Sequence, residues 1–280
     1  MTALPLTAPA IPISGATRLY AVIGDPVTQV QAPALLNPLF TRLALDAVLV
    51  PVHARSDRFA GVLQGLEAIG NLDGVLVTIP HKVAAAELAR ERSAAARISG
   101  SANVLRRAAG GGWYADNFDG AGFVRGLAAA GYPARDARVA LMGAGGAGSA
   151  IAVALLDAGC ARLAVYDPDQ AKCADLVARL EAYQPGRAVA AARPALREAT
   201  LAVNATPLGL RPDDPLPFPP EALPAGCVVA DIIMKPARTR LLATAATLGL
   251  PTHPGIHMLA EQLDLYRSFF GLTAAQHEHA

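Results

Sequence analysis

Short apolar runs alternate along the chain with longer segments whose apolar residues recur every three or four positions. The runs at 19–24, 47–52 and 74–79 predict strands, and the segments at 33–45, 57–70 and 81–97 predict helices. A hairpin is expected next, with strands at 102–107 and 112–115 that turn through Gly110, Gly111 and Gly112. Strands that alternate with helices of this length indicate βαβ units and a mainly parallel sheet.

A second alternation begins after the hairpin. Strands are predicted at 138–142, 162–166, 187–191, 200–204 and 227–232, and helices at 119–131, 147–158, 169–183, 238–248 and 255–271. Two runs of this kind predict two α/β domains, residues 1–120 and 121–254. The proline-rich segment 211–224 is expected to be a loop between two strands of the second sheet, because prolines cannot donate to a strand ladder.

Composition narrows the class of protein. The 280 residues carry 24 Lys and Arg against 23 Asp and Glu, a net charge of +1, and 53% of them are hydrophobic. This balance excludes a disordered chain, and it lacks the basic field that a nucleic-acid partner requires. The mean hydropathy is +0.33, but no stretch approaches the roughly 20 apolar residues of a membrane-spanning helix. We expect a soluble chain with neither nucleic acid nor membrane as partner.

The cysteines and the first residues bear on the compartment. Cys160, Cys173 and Cys227 form no zinc-ligand spacing, so no metal is expected, and they are typical of buried thiols in a reducing compartment. The apolar segment 1–17 is broken by prolines and lacks a charged start, which makes it a poor signal peptide. The sequence therefore favours a cytoplasmic monomer or homodimer.

A glycine-rich motif follows the strand at 138–142. Its residues are Gly143, Ala144, Gly145, Gly146, Ala147 and Gly148, and an Ala-rich helix comes next. In this G-x-G-x-x-G spacing the first glycine permits a tight turn, the second lets a pyrophosphate approach the backbone, and the third allows the helix to pack closely on the strand. A strand before the motif and a helix after it supply the context that the motif requires. The segment predicts a dinucleotide site.

An acidic residue after the next strand bears on the choice of dinucleotide. Asp167 lies 19 residues beyond Gly148, where a carboxylate binds the hydroxyls of the adenosine ribose. A 2′-phosphate would be repelled there. Pro168 and Asp169 follow with no adjacent arginine, and Lys172 lies one helical turn further on. NAD is therefore favoured over NADP as the cofactor.

Polar residues also follow strands of the first run. Thr78 and Lys82 follow the strand at 74–79, Asn103 opens another strand, and Asp119 lies at the junction of the two runs. Because ligands bind beyond the carboxyl ends of strands in open α/β sheets, these residues are candidates for a substrate site. Taken singly, each also suits a structural role: a surface lysine, a turn asparagine, a helix N-cap.

Together, these segments resemble the shikimate/quinate dehydrogenase family over nearly the whole chain. The matching segments, in order, are 20–26 (YAVIGDP), 77–82 (VTIPHK), 100–103 (GSAN), 116–120 (DNFDG), 143–147 (GAGGA), 204–209 (NATPLG) and 255–262 (GIHMLAEQ). The resemblance implies an N-terminal substrate-binding domain, a Rossmann domain, and a C-terminal segment 255–280 that packs back on the first.

The resemblance also implies roles for individual residues. Lys82 and Asp119 would be the catalytic pair, and Thr78, Asn103 and Gln262 would hold the ring hydroxyls of a small-molecule substrate. The cofactor would lie along the glycine-rich loop and near Asn204, Ala205, Thr206, Pro207 and Gly255. Oxidation of a secondary alcohol needs a base for the hydroxyl proton. A lysine serves only if desolvation or nearby positive charge favours its neutral form, whereas a carboxylate favours the ammonium. The assignment of the base between Lys82 and Asp119 therefore stays open.

The chain departs from the family pattern around the substrate carboxylate. Val30 and Ala32 replace a Ser-x-Ser pair whose hydroxyls bind it, and Met234 replaces an aromatic hydroxyl; these three remain candidate substrate-site positions. Further departures are Leu76, Phe118 and His257. Two lost hydrogen bonds to a charged group cost about 3–6 kcal/mol, or roughly a hundredfold to ten-thousandfold in binding.

These departures leave three interpretations. The first is an NAD-dependent dehydrogenase acting on a less polar or differently substituted cyclic polyol or hydroxy acid, or a shikimate dehydrogenase with an altered carboxylate site. The second is a non-catalytic regulator that binds NAD and a metabolite, although it would have no need of a catalytic lysine. The third is another two-domain dehydrogenase, such as a methylenetetrahydrofolate type, which explains the segment 116–120 less well.

Overall fold

The structure, a computed structural model, describes residues 13–273; the segment 1–12 and the C-terminal residues 274–280 lie outside it. The strands are β1 (Arg18–Gly24), β2 (Ala47–His53), β3 (Leu72–Val77), β4 (Glu91–Arg92), β5 (Val104–Arg107), β6 (Trp113–Asp116), β7 (Arg138–Met142), β8 (Arg162–Tyr166), β9 (Ala188–Ala190), β10 (Leu201–Asn204), β11 (Val228–Asp231) and β12 (Thr252–Pro254). The helices are α1 (Ala32–Arg42), α2 (Phe59–Ala68), α3 (Lys82–Leu88), α4 (Ala94–Ser99), α5 (Asp119–Ala129), α6 (Gly146–Asp157), α7 (Gln170–Tyr183), α8 (Arg240–Thr247), α9 (Ile256–Ala260) and α10 (Leu263–Phe270).

The first sheet is mixed and has the order β2-β1-β3-β5-β6-β4. β1 pairs in parallel with β2 and β3, whereas β5 pairs antiparallel with both β3 and β6. The hairpin between β5 and β6 turns through Gly111 and Gly112, whose φ angles of +82° and +76° favour glycine. This confirms the predicted hairpin. The pairing brings the end of β3, the start of β5 and the end of β6 to one edge of the sheet.

The second sheet is fully parallel, with the order β12-β11-β10-β7-β8-β9. The strand order reverses between β7 and β10, so the loops that follow these two strands face each other at their carboxyl ends. The proline-rich segment 211–224 lies between the adjacent strands β10 and β11, as predicted, with one 3-10 turn at Pro220–Ala222.

Both sheets are buried on both faces. One apolar cluster that includes Phe59, Leu63 and Trp113 covers one face of the first sheet, and another that includes Phe40 and Tyr266 covers the opposite face. The second sheet likewise lies between two clusters, and its three cysteines are buried and free. Strands buried on both faces account for the high apolar fraction of the chain. Within residues 13–273, no helix has the length and apolarity needed to cross a bilayer.

The helix predicted at 81–97 was wrong as a single element. The structure has α3 and α4 there, separated by β4, which pairs with β6. Ser93 ends the strand and caps α4, since its hydroxyl accepts a hydrogen bond from the amide of Ala96 at 3.1 Å. The helix predicted at 255–271 is likewise two helices, α9 and α10, and sequence patterns missed the short strand β12 before them.

Two helices connect the sheets. α5 starts beside the residue-120 boundary and packs on α6, so closely that a Cβ on Gly120 would lie 2.2 Å from the carbonyl oxygen of Ala150. α10 returns to the first sheet, where Phe270 packs edge-on against Tyr20 of β1 with 5.0 Å between ring centroids. This confirms the expected return of the C-terminal helix.

Candidate active site

Lys82 and Asp119 form an ion pair at the carboxyl edge of the first sheet. The Nζ atom of Lys82, the first residue of α3, donates to Oδ2 of Asp119, the first residue of α5, at 2.5 Å. Their side chains are 11% and 4% exposed. A carboxylate and an ammonium so close to each other, and so shielded from water, form a unit in which a proton can move to or from a bound hydroxyl.

Asn103 joins this pair to the C-terminal helix. Its Nδ2 donates to Oδ1 of Asp119 at 2.9 Å and to Oε1 of Gln262 at 3.0 Å, and its Oδ1 accepts from the amide of Phe118 at 2.9 Å. Asn103 and Gln262 are both buried. The sequence-predicted residues Lys82, Asn103, Asp119 and Gln262 therefore lie in one hydrogen-bonded network.

Tyr266 completes the network, and sequence reasoning missed it. Its hydroxyl donates to Oε1 of Gln262 and lies 3.4 Å from Nδ2 of Asn103. Burial, with a smaller contribution from the charge of Asp119, raises the pKa of Tyr266 well above its ordinary value. The phenol therefore stays protonated and acts as a donor. The spacing of four residues from Gln262, which places both on one helical face, was the available signal.

The glycine-rich loop has the geometry of a phosphate cradle. Gly143 has a φ of +106°, and a Cβ on Gly148 would lie 2.0 Å from the carbonyl oxygen of Gly143, so both positions require glycine. Gly145 is exposed, and a Cβ there would meet nothing within 4 Å. It precedes α6, a twelve-residue helix. The free amides at the start of this helix and the open space beside them suit a pyrophosphate.

Asp167 braces the same loop. Its Oδ2 accepts from the amide of Ala144 at 2.8 Å, and its Oδ1 accepts from the amide of Asp169 at 2.9 Å. The nearest lysine on α7, Lys172, pairs with Asp169 at 3.4 Å. The carboxylate therefore lies where the sequence predicted a ribose-binding acid, with no cation in contact with it among the described ion pairs.

The loop after β10 lies opposite the glycine-rich loop. Asn204 is fully buried and holds this loop: its Nδ2 donates to the carbonyl of Leu208 at 2.9 Å and to Asp231 at 3.0 Å, and its Oδ1 accepts from the hydroxyl of Thr206 at 2.7 Å. Burial raises the pKa of Asp231. Asn204 is thus engaged within the protein, and Gly255 is buried against Ile232, where a Cβ would lie 2.4 Å from the carbonyl oxygen.

A pocket of about 180 Å³ lies between the two sheets. From the first sheet it is lined by Gln29, Thr78, Ile79 and Lys82. The second sheet contributes Gly145, Gly146, Ala147, Ala205, Thr206, Pro207, Leu210, Ile232, Ile233, Met234, Lys235 and Met258. The pocket therefore brings the candidate lysine, the predicted substrate residue Thr78 and the predicted cofactor loops together around one space.

Comparison with known proteins identifies the family. A family model described as the shikimate dehydrogenase substrate binding domain matches residues 22–105, and one of the ThiF family matches residues 129–208. A shikimate dehydrogenase (NADP(+)) of Rubrobacter xylanophilus is 37% identical over 267 residues, which are 93% of each chain. The chain belongs to the shikimate dehydrogenase family. It is an NAD(P)-dependent oxidoreductase that acts on CH–OH groups.

Solved structures of this family share the fold. The quinate dehydrogenase of Corynebacterium glutamicum in complex with NAD is 28% identical, with a TM-score of 0.80 over 92% of this chain and 95% of that chain. A ligand-free 5-ketofructose reductase of a Gluconobacter species is also 28% identical, with a TM-score of 0.79 over the same shares. Structures with this two-domain fold thus carry names with different substrates.

Five of the six positions where the chain departs from the shikimate dehydrogenase pattern lie in or against one apolar cluster, and His257 lies outside it. Val30, Phe118 and Met234 are partly buried and pack against one apolar cluster that contains Ala32. Of these, only Met234 is among the residues that line the 180 Å³ pocket; Val30 and Ala32 are not. Gln29, one position before Val30, lines the pocket instead. Of the positions where hydroxyls were expected, Met234 therefore presents an apolar side chain to the pocket, and Val30 and Ala32 belong to the apolar cluster beside it.

Proposed function

We propose that the chain catalyses reversible hydride transfer between a nicotinamide cofactor and the secondary alcohol of a cyclic polyol or hydroxy acid. The cofactor is NAD in preference to NADP. The substrate resembles shikimate but is less polar or differently substituted. The contact between Lys82 and Asp119, at the pocket that also contains the glycine-rich loop, carries this proposal. A proton-transfer pair beside a dinucleotide site is the arrangement that this reaction requires.

The residues have separable tasks in this reaction. The backbone amides of the glycine-rich loop bind the pyrophosphate, and Asp167 binds the adenosine ribose. When bound, the nicotinamide supplies the acceptor or donor of the hydride at the carbinol carbon. The proton of the substrate hydroxyl passes to the Lys82–Asp119 pair. Asn103 and Gln262 hold the Asp119 carboxylate in place, and Thr78 faces the substrate.

The preference for NAD rests on Asp167. The carboxylate is fixed by two backbone amides, so it cannot turn away from a 2′-phosphate without losing both hydrogen bonds. Lys172 is paired with Asp169. The curated relative is named for NADP(+), whereas the similar quinate dehydrogenase structure holds NAD. Because the Asp167 carboxylate would repel the 2′-phosphate of NADP, NAD is favoured in this chain.

The proposed substrate preference rests on the apolar side chains at and beside the pocket. A carboxylate placed against Met234, which packs on the same apolar cluster as Val30, would lose its water without gaining hydrogen bonds there, which is unfavourable. The similar 5-ketofructose reductase is named for a sugar derivative rather than a hydroxy acid. A polyol with a hydroxyl for Thr78, which lines the pocket, suits it better than shikimate does.

Steady-state assays with shikimate and quinate, each with NAD and NADP, test the cofactor and the substrate together. We expect low kcat/KM on both acids and a higher value with NAD. High kcat/KM on shikimate with NADP would contradict the proposal. Lys82→Met should reduce kcat about 10²–10⁴-fold, whereas Lys172→Met, an exposed lysine on α7, should retain kcat at saturating NAD. If the Lys82→Met variant folds and keeps the wild-type kcat, Lys82 does not take part in the proton transfer.

A further inference from the structure

The side-chain amide of Gln29, at the 180 Å³ pocket, uses its nitrogen but not its oxygen in a hydrogen bond. Its Nε2 donates to the carbonyl of Pro26 at 2.7 Å, while its Oε1 is shielded from solvent and has no donor among the described residues. The contact with Pro26 fixes the orientation of the amide, because the reverse orientation would place two acceptors together. A buried acceptor without a donor is destabilising. The site therefore favours a ligand that supplies one.

Gln29 lies where a ligand in the cleft can do so. The side chain lines the 180 Å³ pocket and also an adjoining cavity of about 790 Å³. Ile79, Leu210 and Lys235 line both spaces as well, so the two spaces adjoin each other at these residues. A substrate whose secondary alcohol lies at Lys82 can extend past Gln29 into the larger space.

The surroundings of Gln29 select the chemistry of that extension. Its neighbour Val30 and Met234, which lines the same pocket, are apolar and pack against the cluster that Phe118 also contacts. The amide offers an acceptor, which attracts a hydroxyl and opposes a carboxylate. Lys235, an exposed lysine that lines both spaces, would attract a carboxylate instead, and the exposed Arg211 and Arg240 line the larger space. The Gln29 amide therefore favours a hydroxyl at its own position, whereas these cations favour an anion further along the space.

We propose that Gln29 is a specificity-determining residue that accepts a hydrogen bond from a substrate hydroxyl, and that the substrate is an uncharged polyhydroxylated ring at this end. The inference rests on the proposed function and deepens it by naming the substrate class. In the family pattern, serine hydroxyls in this loop donate hydrogen bonds to a substrate carboxylate. In this chain, the Gln29 amide would instead accept a hydrogen bond from a substrate hydroxyl.

Three compounds that share the shikimate ring and differ only in one substituent test the inference. They are shikimate, its methyl ester, and the analogue with a hydroxymethyl group in place of the carboxylate. Their kcat/KM values with NAD, and their dissociation constants by calorimetry with NAD present, are measured for the wild type and for Gln29→Leu. We expect the wild type to prefer the hydroxymethyl analogue over shikimate at least tenfold. Gln29→Leu should lower kcat/KM for the hydroxymethyl analogue about fivefold to tenfold, the worth of one neutral hydrogen bond, and change the ester by less than twofold.

Two control variants separate the outcomes. Gln64→Leu makes the same change on the exposed face of α2 and should alter none of the three values. A wild type that prefers shikimate, with that preference lost in Lys235→Met, would overturn the inference in favour of a lysine-bound carboxylate. An equal loss on all three analogues in Gln29→Leu would reduce Gln29 to a structural role, and no binding of any analogue would also overturn it. Gln29-dependent binding without hydride transfer would retain the inference and refute the proposed function.

Discussion

A Cβ atom on Gly146 would lie 2.6 Å from the Cβ of Lys82. The glycine-rich loop and the candidate catalytic lysine are thus in direct contact across the two sheets. The hydroxyl of Ser101 reinforces this contact by donating to the carbonyl of Gly146 at 2.7 Å. Because the loop proposed to bind the cofactor also limits the position of Lys82, we expect cofactor binding and proton transfer to be coupled through Gly146.

Substitutions in this loop should separate the two tasks. Gly146→Ala places a methyl group against the stem of Lys82, so we expect kcat to fall at least tenfold while the dissociation constant for NAD changes less. Gly145→Ala has open space for its methyl group but fills the approach of the pyrophosphate, so its main effect should be weaker NAD binding. Steady-state kinetics and NAD titration distinguish the two. Equal effects of both variants on NAD affinity alone would contradict the coupling.

Local patterns predicted the cofactor half well because its chemistry lies in one strand–loop–helix unit. The spacing of Gly143, Gly145 and Gly148 and the position of Asp167 are set by local backbone geometry, and the structure shows the expected turn and helix start. The break between α3 and α4 was missed because the Ala-rich segment favours helix throughout. Its interruption depends on the pairing of β4 with β6, a tertiary contact that no local pattern reports.

The substrate half was harder to predict because its residues come from distant segments. Gln262 and Tyr266 lie on a helix that reaches Asn103, 159 and 163 residues earlier in the chain. The family pattern indicated Val30 and Ala32 as substrate contacts, but it could not report that the described pocket is lined by Gln29 instead. Which side chain of a loop faces a cavity is decided by tertiary packing, which a motif in the sequence does not report.

Restoring the missing hydroxyls should create shikimate binding. The triple variant Val30→Ser, Ala32→Ser and Met234→Tyr returns the hydroxyl groups of the family pattern to these three positions. Each hydrogen bond to a carboxylate contributes about 1.5–3 kcal/mol, so kcat/KM on shikimate should rise at least tenfold. The single variant Met234→Leu, which keeps this position apolar, serves as the control and should leave this value low. If the triple variant folds and shows no gain, these positions do not face the substrate.

Neutralising Asp167 should shift the cofactor preference. Asp167→Asn removes the charge but keeps one oxygen to accept a hydrogen bond from the loop. We expect the ratio of kcat/KM with NADP to kcat/KM with NAD to rise at least tenfold, because the repulsion of the 2′-phosphate is lost. Asp175→Asn, an exposed position on α7, should leave the ratio unchanged. A ratio unaffected by Asp167→Asn would show that the 2′ position does not approach this carboxylate.

His253 should make the protein less stable in acid. It is 2% exposed, its Nε2 has no partner among the described residues, and its ring stacks on that of His257 with 5.0 Å between centroids. Burial, with a smaller contribution from the charge of His257, lowers the pKa of His253 from 6.5 to about 4. Below pH 6.5 the unfolded chain therefore binds a proton that the folded protein does not.

The sign of the effect follows from this difference. The free energy of unfolding should decrease as the pH falls from 6.5 to 4, and the contribution of His253 to that decrease is about 3 kcal/mol. His253→Leu, which cannot titrate, should show a correspondingly smaller decrease, whatever its stability at pH 7. Urea unfolding of both proteins at pH 7 and pH 4.5 measures the difference. Parallel decreases in the two proteins would show that His253 titrates normally in the folded state.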